Sequence, residues 1–187
     1  MKFAAGLVLG LLLVPAALFL YLVSGQFPVA TSGGALPFEK KLAALALHAR
    51  MDREITQNAT VRPNEQNLLA GAKVYQEHCA VCHGLPGQEK TAIAKGMFPP
   101  PPQLLDGKHI PDTAGENYWK AANGIRLTGM PGFKKSLTED QLWQVSFVLA
   151  EARELPPSVQ QFLNSPNAAI RQSSAEQKPY EPESSKN

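Results

Sequence analysis

The chain has 187 residues and a formal net charge of +2. This length allows one compact domain with a small core. Residues 62–155 carry ten Lys or Arg and ten Asp or Glu, so this stretch is neutral. A neutral surface argues against nucleic acid as a partner, and against the long-range steering that a strongly charged face provides.

The N-terminus contains a long apolar segment. From Phe3 to Val23 there are 21 residues without a charge, enough to span a bilayer as a helix. We expect a retained transmembrane anchor over residues 1–24, because no small-x-small cleavage site follows Val23 directly; a removed signal peptide is the alternative. The Lys2 end is the expected cytoplasmic end, which places the remaining chain on the periplasmic or extracytoplasmic side of a single-pass protein in the cytoplasmic membrane.

Residues 25–61 are predicted to form a linker followed by an amphipathic helix. Glycines and prolines recur over residues 25–37, and a helical pattern follows over residues 38–57. The apolar residues at helical spacing in that pattern are Leu42, Leu45, Ala46 and Ala49. We expect this helix to lie on the membrane surface or to pack against a partner subunit. The alternative is a helical spacer that packs against its own domain.

Residues 62–157 are predicted to form the folded domain. Asn64 can cap a helix that ends near Cys79. The stretch 84–117 holds six prolines before Asp112 and is expected to be mostly loop.

Two further helices and a tail follow. One helix is predicted over residues 114–123, and another begins at a Ser136 or Thr138 cap and stops at Pro156. Residues 158–187 are polar and poor in apolar side chains, so a disordered tail is expected. No alternating strand pattern is present, and the predicted fold class is therefore all-α.

The two cysteines of the chain lie three positions apart in Cys79-Ala80-Val81-Cys82-His83. This is the attachment pattern for haem c, since one helical turn separates two thiols that bond the vinyl groups and the next residue offers an imidazole to iron. A zinc site, a dithiol redox pair and a local disulfide use the same spacing and remain alternatives.

An iron held by one histidine needs a sixth ligand or an open site. Met130 is the preferred ligand, because glycines and a proline flank it in residues 128–133, and 47 residues separate it from His83. Met97 is the rival, with packing as its expected role, and Met51 is expected to be an ordinary helix residue. The remaining histidines, expected to be exposed rather than ligating, are His48, His78 and His109.

Together these features resemble the class I cytochrome c domain over roughly residues 65–155. The residues that carry the resemblance are Gly71, Tyr75, the Cys79 to His83 motif, Pro102-Gln103-Leu104, Met130, Trp143 and Phe147. The resemblance implies a small cytochrome c fold, three to five helices around one covalently bound haem c, here with an N-terminal transmembrane helix.

The resemblance also implies roles for single residues. Gly71 and Tyr75 stand where the family lets its first helix cross its last one closely. The carbonyl of Pro102 is expected to accept the proton on the far nitrogen of His83. The stretch from Tyr118 to Arg126 resembles the helix and turn beside the haem, which places Trp119 and Arg126 among the cofactor-binding residues.

The function implied by the resemblance is electron transfer, one electron at a time, between redox partner proteins in the membrane or periplasm. On this interpretation the chain is an electron carrier and not itself an enzyme. One alternative is a fixed cytochrome c subunit of a larger respiratory or dehydrogenase complex. Another is a catalytic or gas-binding haem protein with an open iron site.

Overall fold

The computed structural model describes residues 2–55 and 58–165, with the side chains of Lys2 and Ala5 left aside. These two ranges contain eight helices and no strand, which confirms the all-α prediction. The helices are α1 (Lys2–Val23), α2 (Glu39–Glu54), α3 (Glu65–His78), α4 (Ala80–His83), α5 (Ala92–Gly96), α6 (Ala114–Asn123), α7 (Glu139–Ala150) and α8 (Pro157–Asn164). The chain divides into two units, residues 1–35 and residues 36–187.

The first unit contains the one helix, among the described residues, that is long and apolar enough to cross a membrane. Residues Gly6–Val23 of α1 have a mean hydropathy of 2.5, and none of this span is buried by protein. By length and composition α1 could cross a membrane, and a signal sequence near the N-terminus would meet the same criteria.

In the second unit, α2 turns one face toward its own domain. Met51 is completely buried, and Glu54 accepts a hydrogen bond from Trp119 of α6. The predicted apolar stripe points elsewhere, since Leu42 and Leu45 remain 64% and 69% exposed. At 100° per residue these leucines lie roughly opposite Met51 on the helix. The helix therefore packs on its domain and also leaves an apolar face uncovered.

The crossing of α3 and α7 forms the centre of the core. Gly71 of α3 lies so close to α7 that a Cβ there would collide with the backbone carbonyl of Gln144 and lie 2.9 Å from the Val145 nitrogen. Fifteen buried side chains surround this contact, and Leu68, Tyr75, Leu142 and Val148 are among them.

Local signals set the ends of α6 and α7. Each helix begins with a capping box, formed by Thr113 with Glu116 in α6 and by Thr138 with Gln141 in α7. Gly124, with φ of 69°, ends α6 as expected. The cap of α7 is Thr138 rather than Ser136, and the helix ends at Ala150, before the prolines that were expected to stop it.

Two helices occur where the sequence analysis expected none. Helix α5 lies inside the proline-rich stretch, and α8 occupies residues that were expected to be disordered tail. Val159 and Leu163, four positions apart, are buried in the core, and Gln76 of α3 donates to the carbonyl of Phe162. This pair of apolar residues at helical spacing explains why the segment folds although its overall composition is polar. Residues 166–187 of the expected tail lie outside the described residues.

Candidate functional site

The cysteine motif forms a tight helical turn at the end of α3. Cys79 is both the last cap of α3 and the first cap of α4, and its carbonyl accepts the N–H groups of Cys82 and His83 at 3.1 and 2.9 Å. Gly84, with φ of 76°, then ends the turn in a conformation that side-chain-bearing residues rarely adopt. The two thiols are not bonded to each other.

The imidazole of His83 is oriented by the backbone. Its Nδ1 lies 2.8 Å from the carbonyl oxygen of Pro102, the contact that the resemblance implies. A carbonyl can only accept, so Nδ1 carries the proton and Nε2 keeps a lone pair for a metal. Burial lowers the pKa of His83, and this effect outweighs the Pro102 hydrogen bond, which raises the pKa. The lowered pKa favours the neutral ring that ligation requires.

The long loop after Gly84 is held against the motif by hydrogen bonds. Tyr75 donates its phenol proton to the Gly84 carbonyl at 2.7 Å, and burial raises the pKa of Tyr75, so the donor stays protonated. The Thr91 hydroxyl donates to the Val81 carbonyl at 2.6 Å. These contacts fix the first part of the loop, from Gly84 to Thr91, against the motif.

The segment that carries Met130 is fixed to the end of α6. The Met130 N–H donates to the Thr128 hydroxyl at 3.1 Å, and its carbonyl accepts the N–H of Ile125 at 3.2 Å. A Cβ on Gly124 would lie 2.5 Å from the nitrogen of Gly132. The backbone segments at Gly124 and Gly132 therefore approach each other as closely as glycine permits. Met130 itself is half-buried.

Met97, the rival ligand, lies against the same loop. Its Cε occupies the position that a side chain on Gly129 would need, next to Met130. Met97 comes from the segment after α5, and the sequence analysis did not link it to the Met130 loop. Nothing in a single sequence signals this contact, because it joins residues 32 positions apart in two loops.

The residues expected beside the cofactor have different surroundings. Trp119 is half-buried and its indole N–H donates to Glu54 at 3.1 Å, so any contact of Trp119 with a cofactor would use its ring rather than its N–H. Arg126 is exposed. The histidines expected to be exposed differ slightly: His48 and His78 are exposed and His109 is half-buried.

The indole N–H of Trp143 is a buried polar group that the sequence pattern did not single out, since Trp143 was named only among the residues that carry the resemblance. Its ring stacks on Tyr118 at 4.3 Å and is 1% exposed, yet its indole N–H has no acceptor within the described part of the chain. A buried donor without a partner costs about 1–3 kcal/mol. Such a donor indicates an acceptor supplied by a bound group or by ordered water.

The side chains near the motif differ in which metal or cofactor they can hold. Among residues 2–55 and 58–165, no three His, Cys, Asp or Glu side chains converge as a zinc site requires. Burial, with a smaller effect of Cys82, raises the pKa of Cys79 to about 12, so its thiol stays protonated. Two unbonded thiols one turn apart, an imidazole with Nε2 available and a thioether on a fixed loop fit haem c.

Comparison with known proteins agrees with this chemistry. The family model described as "Cytochrome C oxidase, cbb3-type, subunit III" matches residues 66–146, which include the cysteine motif, the Pro102 segment and Met130.

Three individual proteins are similar over parts of the chain. Thiosulfate dehydrogenase of Thiomonas intermedia (strain K12) is 30% identical over 91 residues, 48% of this chain and 28% of that protein. Protein tailless of Drosophila virilis is 34% identical over 71 residues, 36% of this chain and 16% of that protein. The chain thus spans less than a third of the length of these curated relatives. A solved structure, the Kuenenia stuttgartiensis reducing HAO-like protein complex Kustc0457/Kustc0458, has 27% identity and a TM-score of 0.45, over 53% of this chain and 49% of that one.

Proposed function

We propose that the chain carries a class I c-type cytochrome domain and transfers one electron at a time between redox partner proteins through a single covalently bound haem c. The observation that supports this proposal best is the Cys79 to His83 turn with His83 Nδ1 held by the Pro102 carbonyl. When bound, haem c supplies reversible exchange between ferric and ferrous iron.

The residues of the chain have separate tasks in this proposal. Cys79 and Cys82 would form the two thioether bonds, His83 would ligate the iron through Nε2, and Met130 would ligate it through its sulfur. Ligation by methionine and histidine raises the reduction potential. With His83 and Met130 both holding the iron, no position would be left for a substrate, so the proposal makes the chain an electron carrier and not an enzyme by itself.

The proposed location is the cytoplasmic membrane, with α1 as a retained single anchor and the haem domain on the periplasmic side. The length and hydropathy of α1 support this location. A neutral domain gains little from long-range charge steering, and an anchor would keep the carrier near partners in the same membrane.

A second candidate function is a fixed subunit of a larger respiratory or dehydrogenase complex. The apolar face of α2 favours it, since Phe38, Leu42 and Leu45 are 71%, 64% and 69% exposed and lie on one side of the helix. Residues of this kind are expected at a stable subunit interface. One relative is named a dehydrogenase and the family model is named for an oxidase subunit, which is consistent with this alternative.

The first experiment tests haem attachment and ligation. Cys79→Ser and Cys82→Ser should each lower covalent haem content, measured as the haem that stays with the protein after extraction with acidified organic solvent. Met130→Ala should remove the thioether-to-iron absorption of the ferric protein and let the ferrous protein bind carbon monoxide. Met97→Ala is the matched control and should keep that absorption. Rapid carbon monoxide binding by the unmutated protein would instead favour the open-site alternative.

The second experiment separates carrier from subunit. The full chain is purified from its native membrane in mild detergent, and all copurifying proteins are quantified. A carrier should emerge alone or with substoichiometric partners. Stoichiometric recovery of large redox subunits would establish the second candidate, and Leu45→Lys should then reduce that recovery.

A further inference from the structure

We propose that Met97 is a positioning residue for Met130: its side chain holds the outer side of the Gly129-Met130 segment and keeps the Met130 thioether in place. The inference rests on the proposed ligation by Met130 and adds a residue to that site. It assigns Met97 a role distinct from ligation, although both methionines lie at the same loop.

Hydrogen bonds fix the side of the Met130 loop that faces α6, and within the described residues no such bonds fix the side at Gly129. Backbone contacts join Met130 to Ile125, and Phe133 N–H donates to the Ala121 carbonyl of α6 at 2.8 Å. These bonds restrain the residues around Met130 on the side facing α6. Gly129 has no side chain, and no comparable backbone hydrogen bond is described for it, so a packing contact must restrain that side.

Met97 supplies this packing contact. Its Cε fills the space of a Cβ on Gly129, and its Sδ and Cγ lie 3.5 and 3.8 Å from that same point. Three successive atoms of one side chain therefore lie over the Gly129 backbone. A methionine suits this task, because its unbranched and polarisable chain fills an irregular gap.

Met97 is in turn anchored to the haem-attachment turn. Thr91 caps α5 by accepting the N–H of Ala94 at 3.1 Å, and the same hydroxyl donates to the Val81 carbonyl at 2.6 Å. Ala94 is buried, and residues 91–97 span from Val81 to Gly129. This segment, Thr91 to Met97, links the turn that carries one proposed iron ligand to the loop that carries the other.

The physical consequence is that the packing of Met97 restricts the movement of the Met130 loop. Movement of the Gly129-Met130 segment toward Met97 is resisted by the Met97 side chain, which already fills the space there. Removing the Met97 side chain should leave Met130 ligated at equilibrium but easier to displace, because the loop gains conformations that the packing now excludes.

The test uses the full haem-loaded chain in detergent, in the ferric state, titrated with imidazole while the thioether-to-iron absorption is followed. Met97→Ala should lower the imidazole concentration that displaces half of the thioether by about three- to tenfold, which is the lower part of the range expected for residues in direct contact. Met97→Leu, which keeps a chain of similar volume, should restore most of the difference. Ile93→Ala, on the exposed side of α5, is the matched control and should behave like the unmutated protein.

Gly129→Ala gives an independent arm, since its Cβ would push Met97 away from the loop. It should lower the half-displacing concentration in the same direction. Unchanged displacement in both Met97→Ala and Gly129→Ala would overturn the positioning role. If Met97→Ala loads no haem, Gly129→Ala decides, and displacement in Gly129→Ala equal to that of the unmutated protein overturns the role. Loss of the absorption in Met97→Ala with its survival in Met130→Ala would make Met97 the ligand, so the proposed ligation would fail with the inference.

Discussion

Gly71→Ala tests the helix crossing on which the haem domain depends. The new Cβ would collide with the Gln144 carbonyl and approach the nitrogen of Val145, and both are backbone atoms of α7 that no rotamer change can move. Restoring ordinary contact distances requires α3 and α7 to separate by about 1 Å or more. That separation loosens the core around Tyr75 and Leu142.

The expected cost follows from two opposing contributions. Overpacking against backbone costs about 3 kcal/mol, the upper part of the usual range. Alanine is better than glycine inside a helix by about 1 kcal/mol. The net destabilisation is about 2 kcal/mol, or about 10 °C in Tm for a domain of roughly 100 residues.

The assay is thermal unfolding of the haem-loaded full chain, followed by far-ultraviolet circular dichroism, with covalent haem content measured in parallel. Gly96→Ala is the matched control, because Gly96 has no atom within 4 Å of its would-be Cβ. That variant should change Tm by less than about 2 °C. If Gly71→Ala unfolds at the same temperature as Gly96→Ala, the close approach of α3 and α7 is wrong.

Three further predictions concern α8, the α6 cap and the N-terminus. Leu163→Ala should destabilise the haem domain by about 3 kcal/mol in denaturant unfolding, whereas Gln161→Ala on the exposed side should be neutral, and equal effects would place α8 outside the core. Hydrogen bonds from the Thr113 hydroxyl and N–H lower the pKa of Glu116 below 4.5, so their stabilisation is present above pH 4.5 and is lost as pH falls through the folded pKa. Glu116→Gln should therefore lower the free energy of unfolding at pH 7 by about 0.5 kcal/mol, a value discounted because Glu116 is partly exposed. In acid, the free energies of unfolding of the variant and the unmutated chain should become equal. Intact-mass analysis of the mature protein should show α1 retained, and a start within residues 23–35 would reveal a removed signal peptide.

Much of the helical framework could be predicted because its signals are local. The Asn64 cap, the Thr113 cap and Gly124 mark helix ends within a few residues of sequence, and the structure uses all three. Helix α8 was missed for the opposite reason. Its composition is polar on average, and Val159 and Leu163 show their effect only when α3 is present to cover them.

The chemistry of the candidate site could also be predicted where it depends on the spacing of residues along the chain. The Cys79 to His83 pattern places two thiols and an imidazole on one turn in any helical context. The partner of His83 was named only through the resemblance, because the Pro102 carbonyl is 19 residues away and a proline-rich loop offers several carbonyls. The structure contains that contact at 2.8 Å.

The sequence by itself determined the all-α class, the caps of the main helices and the spacing of the Cys79 to His83 motif, since each depends on residues close along the chain. Only the tertiary structure decided which face of α2 is buried, that Trp119 donates to Glu54, and that Met97 covers Gly129. These features join residues 32 to 65 positions apart, and several pairings satisfy the same local pattern. The choice among them is made by the packing of the whole core, because a side chain is buried only where a distant segment arrives to cover it.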